Sequence, residues 1–206
     1  MDIIKKYFAN LTKKQESQLA ALQDLYTDWN LKINLISRKD IGNLYEKHVL
    51  HSLGIAKVVR FSEGTRVMDA GTGGGFPGIP MAILFPDVEF LLLDSIGKKI
   101  RAAEDIARQI GLENAECRQA RVEDEKQMFD FIISRALMPI ADLARTARKN
   151  ISRNQQNAVP NGFFFLKGGD LNEEIKPFKK LAIVYPLSDY FEEEFFKTKK
   201  VIYLPY

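Results

Sequence analysis

The chain has 206 residues, 46% hydrophobic and 28% charged, which suffices for one well-buried α/β domain with an appendage and is too short for two full domains. Its formal net charge of +3 is compatible with a nucleic-acid partner without requiring one. No stretch approaches the roughly 20 apolar residues of a membrane span, and residues 1–14 lack the apolar centre of a signal peptide, so a cytoplasmic protein with no membrane partner is expected.

Residues 1–60 are helical in period and are expected to form an N-terminal appendage to a main domain over 61–206. Thr12 and Gln15 have capping-box spacing, and Leu19, Leu22, Leu25, Tyr26 and Trp29 then recur on one face, predicting a helix over 13–29. Ser37 to Asp40 offers a second S-x-x-D start. After it, Ile41, Leu44, His48, His51 and Ile55 form one stripe, so both histidines share a helix face. Lys5, Lys6, Lys13, Lys14, Lys32, Arg38, Lys39, Lys47, Lys57 and Arg60 outnumber the acids of this segment. A positive helical cap suits a phosphate backbone; a solvated charged face accounts for the same residues.

Residues 66–95 read as strand, glycine loop, helix, strand. The apolar runs 66–70 and 89–93 predict two buried parallel strands joined by a helical crossover. Between them, Gly71, Gly73, Gly74, Gly75 and Gly78 let a ligand approach the backbone closely. Residues 73–78 satisfy G-x-G-x-x-G, a weak dinucleotide signal on its own. Residues 69–75 also satisfy acidic-x-G-x-G-x-G, which resembles the first motif of Rossmann-like S-adenosylmethionine methyltransferases. A pyrophosphate needs free N–H groups at a helix N-terminus, whereas Pro77 and Pro80 remove two and Asp69 adds negative charge. Asp94, ending the second strand, is placed to accept both ribose hydroxyls of either nucleotide.

Farther along, a helix is predicted over 97–110, ended by Gly111, and a third strand over 115–120. The single cysteine, Cys117, lies in that strand and reads as structural; no metal site is expected. A fourth strand (129–134), a helix (140–151), a polar loop (152–157), a fifth strand (162–167) and two closing strands (182–187 and 200–204) follow. The pattern predicts a doubly wound, mostly parallel seven-stranded sheet.

In order and spacing, several stretches resemble the small-subunit ribosomal RNA methyltransferase G family, also called glucose-inhibited division protein B. They are residues 29–35 (WNLKINL), 48–53 (HVLHSL), 71–80 (GTGGGFPGIP), 92–95 (LLDS) with 97–99 (GKK), 134–136 (SRA) and 166–168 (LKG). The resemblance implies a Rossmann-like class I methyltransferase domain over 61–206. It implies transfer of a methyl group from S-adenosyl-L-methionine to N7 of a guanine in 16S ribosomal RNA, on free RNA or on the small ribosomal subunit. It places the cofactor against Gly71, Gly73, Gly75 and Phe76 of the loop, against Val122 and Glu123, and against Arg135, with Asp94 added by the ribose argument. A solvated turn at 121–125 is the plainer account of Val122 and Glu123. The family's helical motif resembles H-x-x-D-S, and this chain has His51 at the aspartate position.

Methyl transfer from a sulfonium is an in-line displacement that rests mainly on alignment in a dry pocket. Guanine N7 has a free lone pair and needs no general base, and no dedicated base stands beside the glycine loop in the sequence. Arg135 is the leading catalytic candidate, able to bind the cofactor carboxylate, guanine O6 or a phosphate; an ion pair with Asp69 or Asp94 is its structural alternative. Lys167 is a weaker candidate, with a solvent-facing strand end as its plain reading. A nicotinamide-dependent oxidoreductase and a noncatalytic S-adenosylmethionine sensor are the competing functions. A monomer is expected.

Overall fold

The computed structural model describes residues 1–37 and 40–206. A short helix, α1 (Asp2–Tyr7), precedes the capping box: the Thr12 N–H donates to Gln15 Oε1 at 2.9 Å and the Gln15 N–H donates to Thr12 Oγ1 at 3.2 Å. Such a cap contributes about 1 kcal/mol. It starts α2 (Lys13–Lys32), which runs past the expected end at Trp29. The S-x-x-D start rests partly on Arg38 and Lys39, which lie outside the described residues. Asp40 makes no side-chain cap and accepts instead from Lys47 at 2.6 Å.

The expected helical stripe from Ile41 to Ile55 is broken into four segments of three helical geometries. A 3-10 turn (Ile41–Asn43) leads to a π-helical turn (Tyr45–Leu50), then α3 (His51–Leu53) and a further 3-10 turn (Gly54–Lys57). The π-helical turn follows an i→i+5 pattern, and the two histidines serve different neighbours. His48 meets Phe76, whereas His51 packs edge-on against Phe195 and Phe196.

Five parallel strands follow: β1 (Arg66–Ala70), β2 (Glu89–Asp94), β3 (Ala115–Gln119), β4 (Phe131–Arg135) and β5 (Gly162–Gly168). Their crossovers are α4 (Gly78–Leu84), α5 (Gly97–Gln109) and α6 (Ile140–Ala147), the last continued by a 3-10 turn over Arg148–Asn150. After β5 comes α7 (Asn172–Ile175), which the sequence pattern did not reveal. β6 (Ile183–Pro186) and β7 (Lys199–Pro205) complete one sheet in the order β3-β2-β1-β4-β5-β7-β6, with β7 antiparallel to both neighbours. β4 begins two residues later than expected: Phe129 bridges to Ile151, and the Asp130 carboxylate accepts from the Arg66 N–H at 2.8 Å and from Gln156 at 2.9 Å.

Alternation along the strands divides the core between the two faces. Val67, Phe131, Ile133, Phe164 and Tyr203 point to one face, where Ile4, Leu19, Leu22, Tyr26 and Leu44 of the N-terminal segment join Ile79 and Ile106. Met68, Ile132, Phe163, Phe165 and Ile202 point to the other, against Ile140 and Leu143 of α6. The N-terminal segment therefore helps to cover an entire face of the sheet. The strand order reverses between β1 and β4, where open α/β sheets bind ligands at the carboxyl ends of their strands.

Candidate active site

Beyond β1 the chain turns through Gly71, Gly73 and Gly75 at φ 71°, 59° and 105°, a region that costs side-chain-bearing residues energy. Two carboxylates hold the turn. Asp69 is fully buried, and one of its oxygens accepts from the Thr72 hydroxyl at 2.6 Å and from the Gly78 N–H at 2.7 Å. Asp94 accepts from the Gly73 N–H at 2.9 Å and from the Ile96 N–H at 2.8 Å. Burial pushes Asp69 up to about 7, against the pull of its two donors.

These bonds bear on the choice of ligand. The N–H groups of Gly71 and Thr72 donate to Leu93 O, and those of Gly75 and Phe76 donate to Thr72 O. With Gly73 and Gly78 committed to carboxylates and Pro77 lacking a donor, the loop offers no row of free N–H groups for a pyrophosphate. It offers instead a cradle without side chains. A Cβ at Gly73 would meet nothing within 4 Å, and Asp94 stands at its edge. Those features fit an adenosyl group whose ribose hydroxyls donate to the remaining lone pairs of Asp94.

A cavity of about 170 Å³ lies there, lined by Gly71, Asp94, Val122, Glu123, Leu137 and Met138 among others. Its volume is below the roughly 300 Å³ of small ligand sites. The cause is Leu137, whose side chain packs directly over the Gly71 backbone. Leu137 is 38% exposed and follows Ala136, whose φ is 56°. A larger hollow, about 430 Å³, lies between α6 and β7 at Arg145, Arg148 and Phe163; none of the expected site residues lines it.

Phe76 and Arg135 lie apart from that cavity lining and form a second cluster. The Phe76 ring stacks on Tyr26 at 4.6 Å, faces His48 at 5.3 Å, and carries the Arg135 guanidinium at 5.0 Å from its centroid. Arg135 Nη2 lies 3.2 Å from His48 Nδ1. Because a guanidinium only donates, that nitrogen is the acceptor and the imidazole proton sits on Nε2. Burial and then the Arg135 charge push His48 down to about 4, and burial lowers Arg135 to about 10. Among the described residues Arg135 makes no ion pair with Asp69 or Asp94, although the Asp69 charge still acts on it.

Several contributors carried no clear signal as site residues. Tyr26 donates to Gly74 O at 2.7 Å, and Leu35 packs on Gly74. Leu35 is placed by Asn30, whose side-chain oxygen accepts from the Leu35 and Ile36 N–H groups, both at 3.0 Å. Trp29 donates to Asp105 at 2.9 Å, tying α2 to α5. The stretch 29–35 is thus a brace for the glycine loop. Lys167 is mostly buried: its ammonium donates to Met138 O at 3.0 Å and to Glu174 at 2.6 Å, and Glu174 also accepts from the Ile140 N–H at 2.8 Å. This anchors the far end of the loop that carries Leu137. Cys117 is pushed up to about 12 by burial, so it remains a thiol.

The chain is 64% identical over 203 residues to the ribosomal RNA small subunit methyltransferase G of Bacteroides thetaiotaomicron, covering 98% of each chain. Among solved structures, an S-adenosylmethionine-dependent methyltransferase from Aquifex aeolicus superposes with a TM-score of 0.55 at 14% identity, over 82% of this chain and 98% of that one. Aeropyrum pernix fibrillarin with natively bound S-adenosyl-L-methionine does so with a TM-score of 0.55 at 14% identity, over 75% and 73%. These two likenesses establish the fold as that of Rossmann-like class I methyltransferases. Residues 15–202 match the family described as rRNA small subunit methyltransferase G, and the chain belongs to that family, called GidB, whose cofactor is S-adenosyl-L-methionine.

Proposed function

We propose that the chain transfers a methyl group from S-adenosylmethionine to N7 of a guanine in 16S ribosomal RNA, acting as a cytoplasmic monomer on the RNA or on the small ribosomal subunit. What supports this reading is a glycine turn edged by Asp94 at the carboxyl end of β1, with the partly buried Arg135 at the carboxyl end of the neighbouring β4 and its one imidazole neighbour, His48, already accepting from it. S-adenosylmethionine supplies an electrophilic methyl group. Gly71, Val122 and Glu123 hold the adenosyl moiety, Gly73 and Gly75 keep the loop open, and Asp94 holds the ribose. In this reading residues 1–60 brace the catalytic domain formed by 61–206.

Arg135 is placed to donate to guanine O6 or to the cofactor carboxylate, and the Phe76 ring keeps its guanidinium in plane. His48 is neutral and its only basic nitrogen already accepts from Arg135, so no imidazole lone pair is available to abstract a proton. Guanine N7 needs none. A rate that is flat between pH 6 and 9 does not by itself establish this, because a histidine titrating at about 4 is fully deprotonated across that range. The profile has to extend below pH 5. A base-free displacement stays flat there while the protein remains folded, and a rising limb near pH 4 that disappears in His48→Gln would contradict it.

Thermal shifts with S-adenosylmethionine and with NAD test the cofactor. At a hundredfold excess over its dissociation constant the true ligand adds about 2.7 kcal/mol, so only S-adenosylmethionine should raise Tm. Label transfer to naked 16S RNA and to 30S particles, run side by side, then identifies the substrate form. Absence of transfer to both would overturn the reading.

A further inference from the structure

We propose that the opening of β7, where Lys199 and Lys200 stand beside Phe195, is a contact surface for the phosphate backbone of the RNA strand that delivers its base to the cleft. The inference rests on the RNA-substrate reading above and adds where that strand lies. Several of the cations first suspected are already paired with carboxylates inside the molecule. Lys5 pairs with Glu16 at 2.9 Å, Lys6 pairs with Glu192 at 2.8 Å and Glu193 at 3.1 Å, and Lys47 pairs with Asp40 at 2.6 Å. At the rim itself, Lys167 is committed to Glu174 and Lys197 to Glu194, both at 2.6 Å.

Lys199 and Lys200 differ from these. Among the described residues neither has a carboxylate partner. The Lys199 ammonium lies 4.7 Å from the centroid of the partly buried Phe195 ring, and Lys200 donates to Gly169 O at 2.8 Å. Their position follows from register: Gly168 pairs with Lys199 and Lys167 with Lys200 at the carboxyl end of β5. Gly168 leaves the room that Lys199 occupies, since a Cβ there would lie 3.0 Å from its ammonium. The surface adjoins the site, because Lys167 touches Met138 O and Met138 lines the cavity. Lys199 and Arg135 also both lower the proton affinity of His51, behind its burial, so the two cations share one electrostatic neighbourhood.

The chemistry selects a nucleic-acid backbone. Two cations without carboxylate partners beside an aromatic face form the usual combination for an unpaired strand, with lysines on phosphates and a ring offered to a base. A guanine that must reach the buried Arg135 has to leave its stack, so its flanking nucleotides are unpaired at this rim.

The test is the salt dependence of 16S RNA binding by the full-length chain. The double variant Lys199→Gln/Lys200→Gln should bind about tenfold more weakly near physiological salt, and the slope of log K against log salt should fall by about 1.4, or about 0.7 for each phosphate contact on a single strand. Lys199→Arg/Lys200→Arg should restore the slope. Lys5→Gln/Lys6→Gln removes the same formal charge and should leave the slope unchanged, because those lysines are already neutralised by carboxylates. An unaltered slope in the β7 variant, or an equal fall in the Lys5/Lys6 control, overturns the proposal. Methyl transfer by the wild type is measured separately: its absence would count against the proposed function, whereas the slope decides the surface.

Discussion

The glycine loop and the N-terminal segment packed on it are held by different physics. Carboxylates from the neighbouring strands, Asp69 and Asp94, bind the loop through its own N–H groups and the Thr72 hydroxyl. Where the segment meets the loop it is held by rings and by one hydroxyl, with Tyr26 on Phe76 and Gly74, and with His48 against Phe76 and Arg135. The loop is therefore held by short-range hydrogen bonds to two carboxylates, and the Phe76–Arg135 cluster by long-range packing. Perturbing the first should cost most, and the second should respond to pH or to the loss of a single hydroxyl.

The largest effect is expected at Asp69. Asp69→Ala leaves the Thr72 hydroxyl and the Gly78 N–H buried without an acceptor, at about 1–3 kcal/mol for each, and it also removes the cost of ionising a carboxyl that burial holds at about 7, so the net loss is clearest in mild acid. Urea unfolding near pH 5 should show a loss of about 2–3 kcal/mol; a loss under about 1 kcal/mol would place the restraint elsewhere. Next comes acid sensitivity in the Phe76–Arg135 cluster. His48 is held at about 4 in the folded chain against about 6.5 when unfolded. Between those values the unfolded state binds the extra proton, so this contribution is complete above about pH 6.5 and is lost as pH falls toward 4, by up to about 3 kcal/mol. His48→Gln should flatten that part of the stability profile, and an unchanged acid limb would show that the imidazole is not held neutral.

A smaller effect is expected for Asp94→Ala, which should weaken S-adenosylmethionine binding by about 1.5–3 kcal/mol in calorimetry, together with some loss of stability because Gly73 and Ile96 lose their acceptor. An unchanged dissociation constant would remove Asp94 from the ribose. Tyr26→Phe sharpens the comparison most finely. It deletes the bond to Gly74 O and keeps the ring, so stability should fall by about 1 kcal/mol and cofactor affinity should barely move. A large loss of affinity would mean that the hydroxyl, rather than the carboxylates, sets the loop.

What was legible in the sequence follows the same division. The capping box at Thr12, the strand at 66–70, the glycine turn and Asp94 are local patterns, and the chain realises them with shifts of a few residues at the ends. The irregular helix at 41–57 was not legible, because a stripe at Ile41, Leu44, His48, His51 and Ile55 has the same period whether or not a π-helical turn interrupts it. Nor did the basic count of the first sixty residues reveal that Lys6 meets Glu192 and Glu193, almost the whole chain away. Leu137 over Gly71 is a further case: an apolar residue after β4 carries no sign that it fills the mouth of a cleft. Nor did the sequence show what Phe76 itself touches: its ring stacks on Tyr26 and carries the Arg135 guanidinium.

The most direct measurement is the identity of the methylated atom. The full-length chain is incubated with methyl-labelled S-adenosylmethionine and 16S RNA, and the product is treated with borohydride and then aniline, which cleaves at N7-methylguanosine. Label at a single guanine, with strand scission at that nucleotide, is the predicted result. Label that survives the treatment on an exocyclic amine or a ring carbon would contradict base-free transfer to N7.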